Sequence, residues 1–464
     1  MKKILLFMAA AAFMFFAACE RPTPDPGPEP GPGPEPGPGP GPGPEPEVTT
    51  YTIGVQLVCD GANLAIEGIT VVLADDSGMV SYDVATDAEG KVSFEVPAGS
   101  YTASATYKTA ENGQRIAFNG SNSNINVAEG ATSFQIDLNK IVSQQIIIKE
   151  VYTTGCQNSA AGSGKTYSND AYVILYNNSD MEADASDIVF GAIAPSTANV
   201  NNKFYNADGV LIFENDNWIP AYSALWWFTS EVKIPAYSQI VVALYGGIDH
   251  TLTVAESVNL SDASYYWMNN SSIPAFTHAK YSISESIPAD HYLSGVQINQ
   301  GTAWVVANNS PGIYIARMSA ADATALAENK DAYDTTQGST PAMAIAKFPK
   351  ANVIDAIDVW AAANVAKSKP RFPADINTGY IAITNNQGYS AYRNVDKEAT
   401  EALEENAGKL VYDYAGGTED IEGSTDPSGI DAEASIANGA HIIYVDTNDS
   451  GNDYHQRKVA SLKK

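Results

Sequence analysis

Residues 85–107 read ATDAEGKVSFEVPAGSYTASATY. Val92, Phe94 and Val96 alternate with Lys91, Ser93 and Glu95. Tyr101, Ala103, Ala105 and Tyr107 then alternate again after Pro97–Gly99. A period of two puts one set of side chains on one face of a strand, so this stretch reads as half-buried β-structure. Asp87–Gly90 supplies a hairpin turn before it, and Pro97–Gly99 the next turn.

The pattern continues in both directions. Ile53, Val55, Leu57 and Cys59 share one face, which points Cys59 toward a core. Ile69, Val71 and Leu73 make the next strand. Ile125 and Val127, then Phe134, Ile136 and Leu138, bring the number to about seven short strands, with turns such as DDSG and AEGA between them. Residues 49–140 are therefore expected to form a β-sandwich. The quoted stretch resembles the transthyretin-like sandwich of carboxypeptidase regulatory modules. That resemblance implies a spacer or stabilising domain and no active site.

Residues 141–464 form a second region. QQIIIKEVYTTG, 144–155, opens it as a strand with Ile146, Ile148, Glu150 and Tyr152 on one face. Ile147, Lys149 and Val151 take the other. DAYVILYNNSD, 170–180, follows as a second strand. Both resemble the opening strands of lamin-tail-type β-sandwiches. IPAYSQIVVALYGGIDHT and FPKANVIDAIDVW add further strands. One helix should start at Ser319, with Asp322 three residues on as in a capping box. Another is expected through Asp396–Leu410, ending at Gly408. AGGTEDIEGSTDPSGIDAEASIANG after it reads as a long acidic loop. The expected class is mainly β: a transthyretin-like sandwich, then a larger lamin-tail-like β domain with one or two short helices.

At the other end, Lys2 and Lys3 precede an apolar run, Ile4 to Phe16, closed by Ala17 and Ala18. Residues 1–18 read as a secretory signal, too short for a membrane span. FFAAC resembles a bacterial lipobox, which implies acylation at Cys19. Acyl burial contributes about 0.8 kcal/mol per methylene, so several chains anchor stably. From 19 to 48 the chain alternates proline and glycine and builds no core. Extended at roughly 3.1 Å per residue, this tether reaches at most about 80 Å.

Net charge is −28 and the pI about 4.4. Such a surface repels phosphate backbones, which argues against nucleic-acid binding. Apart from Cys19, two cysteines remain, Cys59 and Cys156, the latter in a Gly-rich stretch. This is no disulfide scaffold.

Chemical motifs are few. GSGKT, 162–166, lacks the first glycine of a phosphate loop, and a strand follows it where a helix is required. In DTNDSGNDYHQR, 446–457, Asp446, Asn448 and Ser450 hold positions one, three and five of a calcium loop. Arg457 stands where a bidentate glutamate is needed, so a polar turn after the strand HIIYVD is the favoured reading and calcium the alternative. No histidine has a partner at zinc-ligand spacing, and no nucleophile elbow appears. The best recognition signal is aromatic. LWWF places Trp226 opposite Trp227, and YYWM places Tyr265 and Trp267 opposite Tyr266. One face of each set is expected in the core, and the other is the candidate ligand platform.

YTTGCQNSAAGSGKTYSNDAYVILYNNSD, IDHTLTVAESVNLSDASYYW and YVDTNDSGNDYHQRK resemble an uncharacterised family of Bacteroidetes cell-envelope lipoproteins, the domain of unknown function 4876. The resemblance implies an outer-membrane lipoprotein, facing the cell surface or the periplasm, that partners a TonB-dependent transporter. It carries over no catalytic residue. The expected function is non-catalytic ligand capture without a cofactor. An adhesion or structural role is the alternative, and a polysaccharide or peptide hydrolase ranks last.

Overall fold

A computed structural model describes residues 48–75, 79–130, 133–304, 306, 310–413 and 426–463. The signal, Cys19 and nearly all of the Pro-Gly tether lie outside the described residues. No helix among those described is long and apolar enough to cross a membrane. The chain divides into two compact units. One contains the described residues up to Thr109 together with Ile116–Val142, and the other contains Ala110–Arg115 and Ser143 onward.

The first unit is a β-sandwich. Its strands are β1 (Thr50–Cys59), β2 (Thr70–Asp75), β3 (Ser81–Ala85), β4 (Lys91–Pro97), β5 (Gly99–Glu111), β6 (Gln114–Val127), β7 (Ser133–Asp137) and β8 (Asn139–Gln144). One sheet holds β1 between β4 and the parallel β7, and the other runs β3-β2-β5-β6-β8. Ile53, Val55, Leu57, Val71, Leu73, Phe94 and Ile136 fill the space between them. These are the residues that period two assigns to one face. Cys59 is only half-buried at the end of β1, and it is a free thiol. Gly90 closes the Asp87 turn with φ +74°, and its N–H donates to Asp87 O at 3.0 Å.

The second unit is built on one sheet of 13 strands. Its principal strands are β9 (Ile146–Tyr152), β10 (Tyr172–Asn177), β11 (Ile188–Ile193), β12 (Trp218–Trp227), β13 (Gln239–Ala243), β14 (Tyr266–Met268), β15 (Tyr292–Gln297) and β16 (Gly312–Arg317). After helix α1 (Ala320–Glu328) come β17 (Ala346–Pro349), β18 (Val353–Ala361), β19 (Ile381–Ile383) and β20 (Ser390–Arg393). Helices α2 (Lys397–Glu401), α3 (Ala432–Ala437) and α4 (Ser450–Asp453) precede the last strand, β21 (Tyr454–Arg457). The order is β19-β18-β16-β11-β12-β15-β14-β13-β10-β9-β20-β21, with β17 beside β12.

This sheet folds over on itself. Ile146 and Val173 from one half share a core with Phe190, Trp226, Ile315 and Ile357 from the other. Smaller cores cover the outer faces. Tyr314, Phe348 and Ala323 of α1 make one, and Ile147, Tyr392 and Ala432 of α3 make another. A sheet covered on both sides buries both faces of its strands.

Several expectations change at this level. The strict alternation in 146–152 is broken by a bulge between Ile148 and Glu150. Ile146 and Ile148 face the main core, and beyond the bulge it is Val151 that does so, while Tyr152 joins a different cluster. An inserted residue shifts every later side chain to the other face. Ser319 caps α1 as expected, accepting from Asp322 N at 3.1 Å. The helix begun at Asp396 ends at Glu401, and a separate 3₁₀ turn, Glu404–Asn406, follows. The stretch read as a loop contains α3, capped by Asp431. HIIYVD is no strand; Tyr444 makes a single bridge to Val395. Cys156 lies in a two-residue strand and is buried.

Candidate functional site

The two ends of the long sheet come together without a continuous ladder, linked by a single parallel bridge from Thr378 to Asp449 and by Thr384 N donating to Gln456 Oε1. Among the described residues β19 pairs only with β18, and β21 only with β20. A cleft of about 590 Å³ lies at this seam. Tyr380, Ile381 and Ala382 line one lip, and Asn452, Tyr454 and His455 the other. That volume falls within the usual range for small-molecule sites.

Each lip is fixed by its neighbours. Gly379 has φ +64°, and a Cβ there would meet Asp449 Oδ1 at 2.3 Å. Glycine therefore lets the β19 lip approach α4, whose first turn Asp449 caps by accepting from Gly451 N at 2.8 Å. The Tyr380 ring lies parallel to Trp360 at 3.7 Å between centroids. Trp360 is held in turn, its Nε1 donating to Asp358 Oδ1 at 3.1 Å. On the other lip, Tyr454 OH donates to Ile148 O at 2.7 Å.

His455 is the most informative side chain. It is 2% exposed. Asn394 Nδ2 donates to Asn452 O at 2.7 Å, which leaves Asn394 Oδ1 as an acceptor 2.8 Å from His455 Nδ1. Nδ1 therefore carries the proton and Nε2 the lone pair. Nε2 is buried and has no hydrogen-bond partner among the described residues. Burial, and after it the Arg457 charge, push the imidazole down to about 3. The ring is thus a neutral acceptor across the physiological range.

This has a measurable consequence. An unfolded chain protonates histidine near 6.5, and the folded chain does so only near 3. Between those values the unfolded state binds more protons, so stability falls on acidification by up to about 1.4 kcal/mol per pH unit. His455→Gln should flatten the decline in denaturant midpoint between about pH 6 and about pH 4 by roughly one proton's worth. An unchanged slope would contradict the assignment.

The loop 446–457 supplies one lip of the cleft, though not by way of the residues singled out for calcium. Asp446 Oδ1 sits 3.2 Å from Arg393 Nη1, so a guanidinium already faces that carboxylate. Asn448 occupies a turn at φ +57°, and its carbonyl accepts from Thr378 N. Ser450 is buried, donating to Asn377 Oδ1 at 2.7 Å and accepting from Asp358 N at 3.0 Å. The three are thus engaged in different directions. Among the described residues no three His, Cys, Asp or Glu side chains gather as a metal site.

The aromatic sets are mostly core. Trp226, Tyr266 and Trp267 are buried, which removes them as an open platform. Trp226 packs on Phe276 and Trp304, and Trp267 Nε1 donates to Tyr245 O at 2.6 Å. Tyr266 stacks on His291 at 4.4 Å. Trp227 and Tyr265 are half-buried against separate core clusters. Tyr380, which lines the cleft, and Trp360, stacked on it, lie outside both sets.

A second polar cluster surrounds Asp170. Its Oδ2 accepts from Ser257 Oγ at 2.5 Å, Tyr152 OH at 3.1 Å and Cys156 Sγ at 3.7 Å. His250 lies nearby, but its Nε2 is bonded to Gly246 O and its Nδ1 to Tyr167 OH. Ser257 donates to the acid, not to a histidine base, so no acyl-transfer relay is assembled. Burial, then Asp170, push the Cys156 thiol up to about 12, which leaves it without nucleophilic thiolate.

Residues 237–428 match the family model described as Protein of unknown function (DUF4876). This is the family that the quoted motifs resemble. A crystal structure of a DUF4876 family protein from Bacteroides thetaiotaomicron superposes with a TM-score of 0.56 at 16% identity. The match covers 87% of this chain and 94% of that one, and at this identity it speaks for the fold alone. A DUF3823 family protein from Parabacteroides merdae matches at 9% identity with a TM-score of 0.16, over 59% of this chain and 92% of that one, too little overlap to support any argument. No curated protein matches.

Proposed function

We propose that the chain is a lipid-anchored, non-catalytic capture protein of the outer membrane, which holds a small hydroxyl-bearing ligand at the seam of its second unit. The observation that carries this reading is the cleft at the seam, lined in part by His455, whose enclosed Nε2 is a neutral acceptor without a partner among the described residues. A buried acceptor without a donor costs about 1–3 kcal/mol, and a ligand hydroxyl would relieve that cost. Tyr380, backed by Trp360, offers an aromatic surface for the apolar face of a sugar. Among the described residues that line the cleft there is no carboxylate to pair with His455 as acid and base. Acylation at Cys19 and service to a TonB-dependent transporter follow the motif resemblance, and a tether would keep the captured ligand at high local concentration.

Thermal shift of the full chain against neutral mono- and oligosaccharides is the test. Binding at a hundred times Kd should add about 2.7 kcal/mol of stability. Tyr380→Ala and Asn452→Ala should weaken that binding at least about tenfold, a loss of about 1.4 kcal/mol. If sugars bind and neither substitution matters, the cleft is not the site. If none binds, the ligand class is wrong. Labelled palmitate entering the wild type and not Cys19→Ala would support the anchor.

A further inference from the structure

Lys149 is fully enclosed at the bulge of β9, and no other lysine among the described residues is buried. Lysine is almost never fully buried unless paired. Its Nζ donates to Gln239 Oε1 at 2.6 Å and to Glu433 Oε1 at 2.6 Å. The rings of Tyr176, Tyr392 and Tyr444 stand 5.7, 5.3 and 5.7 Å from the same nitrogen. Tyr392 OH also donates to Glu433 Oε1 at 2.6 Å. An enclosed amine, a half-buried carboxylate and an exposed carboxamide thus meet at one nitrogen flanked by three tyrosine rings.

We propose that Lys149 and Gln239 join in an intramolecular isopeptide bond, with Glu433 as the acid–base. The Lys149 ammonium passes one proton to the Glu433 carboxylate through their hydrogen bond. The freed Nζ attacks Gln239 Cδ, forming the new C–N bond and a tetrahedral centre. Glu433 delivers its proton to the side-chain nitrogen of Gln239, the old C–N bond breaks, and ammonia leaves. A further Nζ proton leaves with it as ammonium, so the charge balances and nothing is oxidised or reduced.

Two features favour the step. The hydrogen bond holds nucleophile and amide together, replacing a bimolecular encounter by an oriented one. Gln239 is exposed on its outer side, which gives ammonia a way out. Burial opposes the charge on Glu433, but Lys149 beside it, with hydrogen bonds from Lys149 and Tyr392, holds the carboxyl below its ordinary range. It therefore rests as the proton acceptor that the first step needs. The bond would tie β9 to β13 across the intervening β10.

Peptide mapping of the denatured full chain by mass spectrometry tests this. The expected product is the Lys149 peptide joined to the Gln239 peptide, lighter than their sum by one ammonia. Glu433→Gln should leave the two peptides separate. Recovery of separate peptides from the wild type would overturn the proposal, whatever the variant does. So would a Lys149–Glu433 product lighter by one water.

Discussion

Arg393→Met is expected to lower the folding stability of the second unit by about 3–5 kcal/mol, the usual result of removing one partner from a buried ion pair. Arg393 is fully enclosed and reaches both halves of the folded sheet. Its guanidinium pairs with Asp355 on β18 and donates to Ile148 O on β9 at 2.8 Å. It also donates to Val445 O at 2.9 Å and Tyr454 OH at 2.7 Å. Methionine fills the volume and makes none of these bonds, so Asp355 keeps a buried carboxyl without its cation. All six tryptophans lie in the second unit, and their fluorescence in urea reports that unit alone. A loss below about 1 kcal/mol would mean that the cluster is dispensable. Adding Asp355→Leu to Arg393→Met should recover part of the loss, because an apolar pair removes the stranded charge.

Asp358→Ala should cost a similar amount, about 3–5 kcal/mol, and should also impair the cleft. Asp358 accepts from Arg371 Nη2 at 2.6 Å, Arg371 N at 3.0 Å and Trp360 Nε1 at 3.1 Å. Without it, the enclosed Arg371 keeps only backbone carbonyls, at 3.1 Å from Pro195 and 3.4 Å from Val359. Trp360 loses the bond that sets its ring beneath Tyr380. The two effects separate in Trp360→Phe, which leaves the ion pair intact and should weaken sugar binding with a smaller change in the urea midpoint. Equal damage to binding and stability in both variants would argue that Trp360 only supports the fold.

The first unit was legible because its sheets bury one face each. Alternation then maps directly onto burial, as Val92, Phe94 and Val96 show. Ser319 was legible because a cap is a local event. The second unit resists the same reasoning. Its sheet is covered on both sides, so Trp226 and Trp267 are enclosed although alternation left one face of each pair open. The bulge at Lys149 has no local sign, and it exchanges the faces of the residues beyond it. Helix α3 did carry signals, Asp431 at its cap and Glu433 in its first turn, but its Gly- and Ser-rich surroundings outweighed them. Tyr380 and His455 come together only through the order of the strands. The loop that carries His455 drew notice as a calcium motif, and its neighbours Asp446 and Ser450 serve Arg393 and Asn377 instead.

A sheet that nearly closes on itself is an open hoop. Its interior rungs are held from both sides, whereas the amides along β19 and β21 that face the gap lack a ladder partner among the described residues. Those lips are where native-state hydrogen exchange should begin. A molecule that touches both would act as a clasp, turning contact at one spot into slower breathing of the whole ring.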